Sequence, residues 1–346
     1  MREERSILSI RNLILLLVLI GFTWVVVTRF ASLPALVHRL IRGDLPWILA
    51  AVIVHIIYFY LQAVVYHFCL KLVGVHLPSL KILPVVFVTL FINAIAPTGG
   101  IGGAAVFIDY AVRNNQRGVS TAVGVLLTLM ADLSTLSPFV LVGLVSLEIH
   151  NQLKFYEWLG FLFLMIFVVG MIVLLILAYR RRKLVAMTFK WFQSLANKAA
   201  NKITRRNWLP EEWAETNSAE FHEGARAIAS QPWSLAWVLF LSTVMHMVNL
   251  VGLYFFFLAY KQSVDIGTLV AAFGLGIVFF VIAIVPEGVG AVEGIMSLVF
   301  ISMGIPRTNA AVISLAFRGV NFWLPIIVGF FSFHAIGLWS GKKKEL

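Results

Sequence analysis

Residues 81–113, KILPVVFVTLFINAIAPTGGIGGAAVFIDYAVR, decide how this chain is read. The stretch is apolar to Ala96, breaks at Pro97-Thr98-Gly99-Gly100-Ile101-Gly102-Gly103, and resumes from Ala104 to Val112. As a helix, that last limb would rise only about 14 Å, against a bilayer core of about 30 Å. Irregular backbone at membrane depth is tolerated only where protein or water covers it. The stretch therefore reads as a re-entrant hairpin, entering and leaving on the same side.

Residues 267–304 repeat the plan: an apolar limb to Val285, then Pro286-Glu287-Gly288-Val289-Gly290, then a second limb. Its limbs are longer, which leaves a hairpin and two full spans both open. Around these two elements lie six apolar runs long enough to cross: 9–28, 47–69, 119–147, 158–179, 233–258 and 308–339. Composition agrees. Hydrophobic residues make up 60% and charged residues 12%, where a soluble domain carries about 25% charged; the mean hydropathy is +0.93. These values exclude a soluble enzyme, a disordered chain and a disulfide scaffold, and Cys69 is the single cysteine. The expected fold is an all-α polytopic membrane protein, residues 1–346 forming one integral membrane domain.

The net charge of +11 points to membrane rather than nucleic acid, because the cations flank apolar runs. With six crossings and two hairpins, the basic residues outside are Arg29, Arg39, Arg42, Lys154, Lys261 and Arg307. The loop 180–232, beginning Arg180-Arg181-Arg182-Lys183, then lies inside with the Lys342-Lys343-Lys344 tail and both termini. Counting residues 81–96 as a crossing would put that basic loop outside. The run from Ser9 to Thr28 follows Arg2 and Arg5, and no small-residue cleavage site comes after it; it is expected to be a retained helix. This layout inserts the two hairpins from opposite sides, so they can be read as an inverted repeat of the transporter kind. In the loop, Trp191, Phe192, Leu195 and the segment from Pro210 to Ala229 suggest amphipathic helices at the interface.

A charge at mid-bilayer costs about 2.5–3.5 kcal/mol on insertion scales and normally faces a partner or a wet cavity. Asp132 and Arg318 lie well inside their apolar runs, and Glu293 follows the second break. Inversion would draw the three together, either as a headgroup cavity with Arg318 on phosphate or as a buried pair that fixes packing. Gly99, Gly100, Gly102 and Gly103, with Gly288 and Gly290 in the second break, either free backbone N–H groups for an anion or let helices approach closely. Asn93 reads as coordinating or, more simply, as a satisfied helix-end amide. Asp109 and Arg113 are spaced for a surface i,i+4 pair, with a gating role as the alternative. His55, His67 and His246 lack metal-ligand spacing and read as packed or interfacial histidines, so no metal or cofactor is expected. There is no P-loop, zinc signature or nucleophile elbow, so transport would be passive or coupled to an ion or proton gradient.

The run Pro286-Glu287-Gly288-Val289-Gly290-Ala291-Val292-Glu293, with Gly304-Ile305-Pro306, Ala310-Ala311, Arg318 and Trp323-Leu324-Pro325, resembles the C-terminal signature of the lysylphosphatidylglycerol synthase transmembrane region, a flippase-like family. Asn93 to Gly103, then Arg113, Gly118 and Asp132, resembles its N-terminal half. Many relatives carry Arg-x-Gly-acid after the first proline, where this chain has Gly-Gly-Ile-Gly-Gly. No part of the chain reads as the soluble aminoacyl-transfer domain of the bifunctional members. The resemblance implies a lipid translocase in the plasma (inner) membrane of a prokaryote, moving a phospholipid, aminoacyl-phospholipid or glycolipid between leaflets. Substrate contacts would then come from Arg318, Asp132, Glu293, Glu287, Asn93 and the glycines of the breaks, with Pro97, Pro286, Asp109 and Arg113 gating or structural. Its partners would be lipids with phosphate headgroups, and either a second copy or a separate lipid-synthesising enzyme. The competing readings are an intramembrane lipid-modifying enzyme, using Asp132, Glu287 or Glu293 as acid or base, and an accessory subunit of an envelope glycosyltransferase.

Overall fold

The computed structural model describes residues 42–95, 101–204, 208–282 and 288–335. The expected crossing at 9–28, Pro97, Gly99, Gly100, Pro286, Glu287 and the lysine tail lie outside the described residues. Contacts separate Met1–Gly43 from Asp44–Leu346, and the architecture below is that of the second unit. Its elements are α1 (Leu45–Leu72), α2 (Ser79–Ile95), α3 (Ile101–Arg113), α4 (Gly118–Ile149), α5 (Phe155–Arg180), α6 (Arg182–Thr204), α7 (Trp213–Ala229), α8 (Pro232–Ala259), α9 (Ile266–Ile282), α10 (Ala291–Ser302), α11 (Arg307–Arg318), a π turn (Gly319–Trp323) and α12 (Leu324–Ala335). Among the described residues there is no strand. The protein is an all-helical polytopic membrane protein.

Among the described residues, five helical stretches are long and apolar enough to cross a bilayer: α1, α4, α5, α8 and the run Arg307–Phe333. All five coincide with expected crossings. Proline opens α1 at Pro46 and α8 at Pro232, where its missing N–H has no intrahelical partner to lose. The remaining apolar helices are shorter and come in pairs. α2 has 17 residues and α3 has 13; α9 has 17 and α10 has 12. One sequence expectation is corrected here. The short limb of the first pair starts at Ile101, inside the glycine run, so Gly102 and Gly103 are helical. The second limb of the second pair, α10, is also short, with 12 residues rising about 18 Å.

The chain thus runs twice through one series: a long helix, a two-limbed hairpin, a long helix. α1 to α4 form one series and α8 to α12 the other. The opening helices α1 and α8 pack on each other. They run antiparallel, with Asp44 N–H donating to Ala259 C=O at one end (2.8 Å) and His55 against Gly252 further along. The longer limb of each hairpin packs against the closing helix of the other series, α9 on α4 and α2 on α12. Exchanging the two series preserves this pattern. Both crossings depend on glycine. A Cβ on Gly143 would strike the Ala271 backbone, and one on Gly329 would strike the Phe87 carbonyl, the close approach that small residues permit in membrane helices.

Two apolar cores follow the two series, and α4 and α8 contribute to both. Burial ranks the helices accordingly. Half of the most apolar window of α4 is buried against 28% for α5, so α4 is central and α5 presents Leu162, Ile166 and Val173 outward. Between α5 and α8, α6 and α7 form the expected amphipathic pair. Val185 and Phe189 pack inward with Ala225 and Phe221, while Leu184, Met187, Trp191 and Leu195, on another face of α6, are exposed. Pro210 precedes α7 rather than opening it; its carbonyl accepts from Trp213 N–H (3.1 Å).

Candidate functional site

Arg318 closes α11 and is 6% exposed. Its Nε donates to Glu293 Oε1 at 2.9 Å. The π turn that follows has a local cause: Pro325 has no N–H for an ordinary helical bond, and Leu324 N–H reaches back to Gly319 C=O. The widened turn sets the Phe322 ring 4.1 Å from the Arg318 guanidinium carbon, a cation–π contact that partly offsets desolvation of the charge. π bulges are frequent at functional sites.

Glu293 is held from two sides. Its Oε2 accepts the Gly290 N–H at 2.7 Å, capping α10, while Oε1 takes Arg318. Gly290 and Gly288 have φ of 82° and 62°, a region that favours glycine. The described end of the second break, Gly288 to Gly290, is therefore a turn with left-handed glycines, clasped by a carboxylate that is also ion-paired. A serine clip pins the same helices, Ser297 Oγ lying 3.0 Å from Ser314 Oγ. In the first hairpin the equivalent task falls to Asn93, whose Oδ1 accepts Gly103 N–H at 2.9 Å. A Cβ on Gly103 would meet Thr89 and Asn93. The amide of Asn93 thus ties limb to limb, and the N–H groups of Gly103 and Gly290 are taken by side chains.

Asp132 departs from the expected triad of charges. It turns to α8, where His246 Nε2 lies 3.3 Å from its Oδ1 and 3.0 Å from its backbone carbonyl. The carbonyl can only accept, so Nε2 carries a hydrogen. Three residues along, Thr135 Oγ1 donates to Ser242 Oγ at 2.9 Å. Among the described residues the interior therefore holds one ion pair, Arg318–Glu293, and one carboxylate–imidazole pair, Asp132–His246. Polar groups continue across α1, α4 and α8: His55 Nε2, Gln62 Oε1, Ser134 Oγ, His246 Nδ1 and Asn249 Oδ1 are buried with no hydrogen-bond partner among the described residues. A native interior satisfies about nine in ten such groups, so this concentration marks a polar interior. Sequence reading passed over His246 as a packing residue. The signal was its spacing: Ser242, His246 and Asn249 fall at i, i+4 and i+7 on an otherwise apolar helix.

Asp109 and Arg113 form an exposed i,i+4 pair at 2.7 Å, on the surface. His67 is a packed histidine, its Nδ1 2.6 Å from the Leu77 carbonyl. Among the described residues no cluster of His, Cys, Asp or Glu could hold a metal ion.

Twin broken-limb hairpins and paired intramembrane charges define a polytopic helical membrane protein with a polar interior. The chain belongs to the family of the lysylphosphatidylglycerol synthase transmembrane region, whose model matches residues 12–329. It is 22% identical to a UPF0104 membrane protein of Pyrococcus horikoshii over 330 residues, 91% of this chain and 94% of that one. It is also 22% identical to a UPF0104 membrane protein of Methanocaldococcus jannaschii over 330 residues, 95% and 96% of the two chains. No solved structure matches the chain.

Proposed function

We propose that this protein is a lipid translocase, carrying a phosphate-bearing lipid headgroup through its polar interior while the acyl chains stay in the bilayer. The observation that carries the reading is the buried Arg318–Glu293 pair, joining a helix break to a π turn inside an apolar bundle. A phosphate cannot enter a low-dielectric core without a counter-charge. Arg318 supplies it with the planar fork that suits phosphate oxygens. Glu293 holds that fork until an arriving phosphate takes the carboxylate's place. The Asp132–His246 pair and its polar neighbours line the remainder of the path. The hairpins insert from opposite faces of a prokaryotic plasma membrane, with the 180–232 loop and both termini cytoplasmic. The lipid is a phospholipid, aminoacyl-phospholipid or glycolipid, supplied by a separate lipid-synthesising enzyme. Movement is passive or coupled to an ion or proton gradient.

The test is leaflet exchange of labelled phospholipids by purified protein in liposomes, scored in parallel for any modified lipid. Arg318→Lys keeps partial exchange, Arg318→Gln abolishes it, and Asp132→Asn impairs it. Near wild-type exchange by the double variant Arg318→Gln/Glu293→Gln would make the pair purely structural and end the assignment of Arg318 to the headgroup. A modified lipid in the products would favour an enzyme.

A further inference from the structure

A second concentration of charge lies away from the bundle interior, where α5 ends. Tyr179, Arg180, Arg181, His222 and Arg226 line an open pocket of about 700 Å³. Two arginines come from the last turn of α5 and the joint to α6; the third comes from α7, one turn beyond His222. The joint is fixed by a hydrogen bond, since His222 Nδ1 lies 2.7 Å from the Ala178 carbonyl, which can only accept. This bond satisfies one of the terminal carbonyls of α5 and docks the cationic edge of α7 against it.

Two of the three acidic residues of α7, Glu220 and Glu223, are engaged away from the pocket. Glu220 accepts from both Ser120 N–H and Ser120 Oγ–H at 2.8 Å. Glu223 lies 3.9 Å from Arg117. Both therefore serve the start of α4. Among the described residues no carboxylate lies within salt-bridge distance of Arg180, Arg181 or Arg226. Three guanidinium groups around one concavity repel one another, and an anion with several acceptor oxygens relieves that repulsion.

We propose that this pocket binds the phosphate of an anionic membrane lipid. A phosphate ester has the acceptor oxygens, and the surroundings favour a lipid as its source. Ile172, Ile176 and Tyr179 are exposed along the last turns of α5, and Leu184, Met187 and Trp191 along α6. An apolar track thus runs down from the pocket beside the spanning helix. A headgroup seated among the arginines has its chains led along α5 into the bilayer. The site is peripheral, and it stands or falls independently of translocation.

The purified full-length chain in neutral detergent micelles is titrated with fluorescent phosphatidylglycerol and, separately, phosphatidylcholine. Phosphatidylglycerol is expected to bind about tenfold tighter, and Arg180→Gln/Arg181→Gln/Arg226→Gln to erase that preference. The equal-charge control Lys183→Gln/Lys190→Gln/Lys198→Gln, on exposed positions of α6, is expected to change affinity by less than about twofold. Equal losses in the two triple variants would assign binding to diffuse charge and overturn the site. Equal affinity for the two lipids in the wild type would overturn it as well. Soluble glycerol phosphate is the third arm. Little displacement supports a lipid occupant, and displacement as effective as that by unlabelled lipid overturns it in favour of a soluble phosphate ester. If the triple variant elutes as aggregate, the exposed Arg226→Gln alone carries the test: about threefold weaker binding is expected, and unchanged binding overturns the proposal.

Discussion

Glu293 illustrates how one residue serves local and tertiary structure together. Its carboxylate caps the Gly290 turn through one oxygen and neutralises Arg318 through the other. Removing one member of such a pair leaves an orphaned buried charge, which costs about 3–5 kcal/mol, whereas removing both costs far less. Arg318→Gln is therefore expected to lower the melting temperature of the detergent-solubilised protein sharply, and Arg318→Gln/Glu293→Gln to recover most of that loss. A double variant as unstable as the sum of its singles would mean that the two residues are not energetically coupled. Stability and transport separate here: the double variant is expected to fold, yet not to move lipid.

At the scale of elements, helix ends and helix crossings each carry a testable consequence. Asp265 stands immediately before α9, its Oδ1 accepting Thr268 N–H at 2.9 Å, and Thr268 Oγ1 donating to its other oxygen. Burial alone would raise the carboxyl's pKa, but the hydrogen bonds from Thr268 and neighbouring backbone outweigh it and hold it below the ordinary carboxylate range. A carboxylate with a depressed folded-state pKa contributes stability above its unfolded value, near about 4, and loses it as pH falls through the folded value. Asp265→Ala should cost about 1 kcal/mol at neutral pH, as for other lost caps. Thermal melts should show the gap to wild type closing below about pH 4. At the α4–α9 crossing, Gly143→Leu must push α9 away from α4 and is expected to destabilise by about 1–3 kcal/mol or more. Gly170→Leu, on α5 with open space around it, should leave the melting temperature unchanged. Equal effects at the two glycines would rule out the close crossing.

The whole-molecule prediction concerns sidedness. The opposed insertion of the hairpins is the consequence expected from the proposed cytoplasmic placement of the basic loop 180–232. Thr216 on α7 and Ser263 between α8 and α9 are both exposed. In intact cells, a membrane-impermeant thiol reagent should label Ser263→Cys and leave Thr216→Cys unmodified until the cells are opened. Labelling of Thr216→Cys from outside would invalidate the opposed-hairpin arrangement. The packing pattern sets a second expectation at this scale. Each hairpin's longer limb leans on the other series' closing helix, so the two halves expressed as separate chains should associate in the membrane, detectable by co-purification.

Hydropathy by itself determined the helical membrane class, the five crossings within the described residues and the two interrupted elements. These depend on local run length and on proline and glycine, which act within a few residues. Pairing of the charges was decided only by the tertiary structure. Asp132 lies in mid-helix and Arg318 midway along the apolar run Arg307–Phe333, and spacing along one run cannot say which neighbouring helix presents the counter-charge. His246 looked like packing until α4 placed the Asp132 carboxylate against it. The α4–α9 and α2–α12 crossings, and the arginine pocket shared by α5 and α7, join residues far apart in the chain. Such contacts arise when helices already formed are packed by shape and charge, a step that local pattern does not encode.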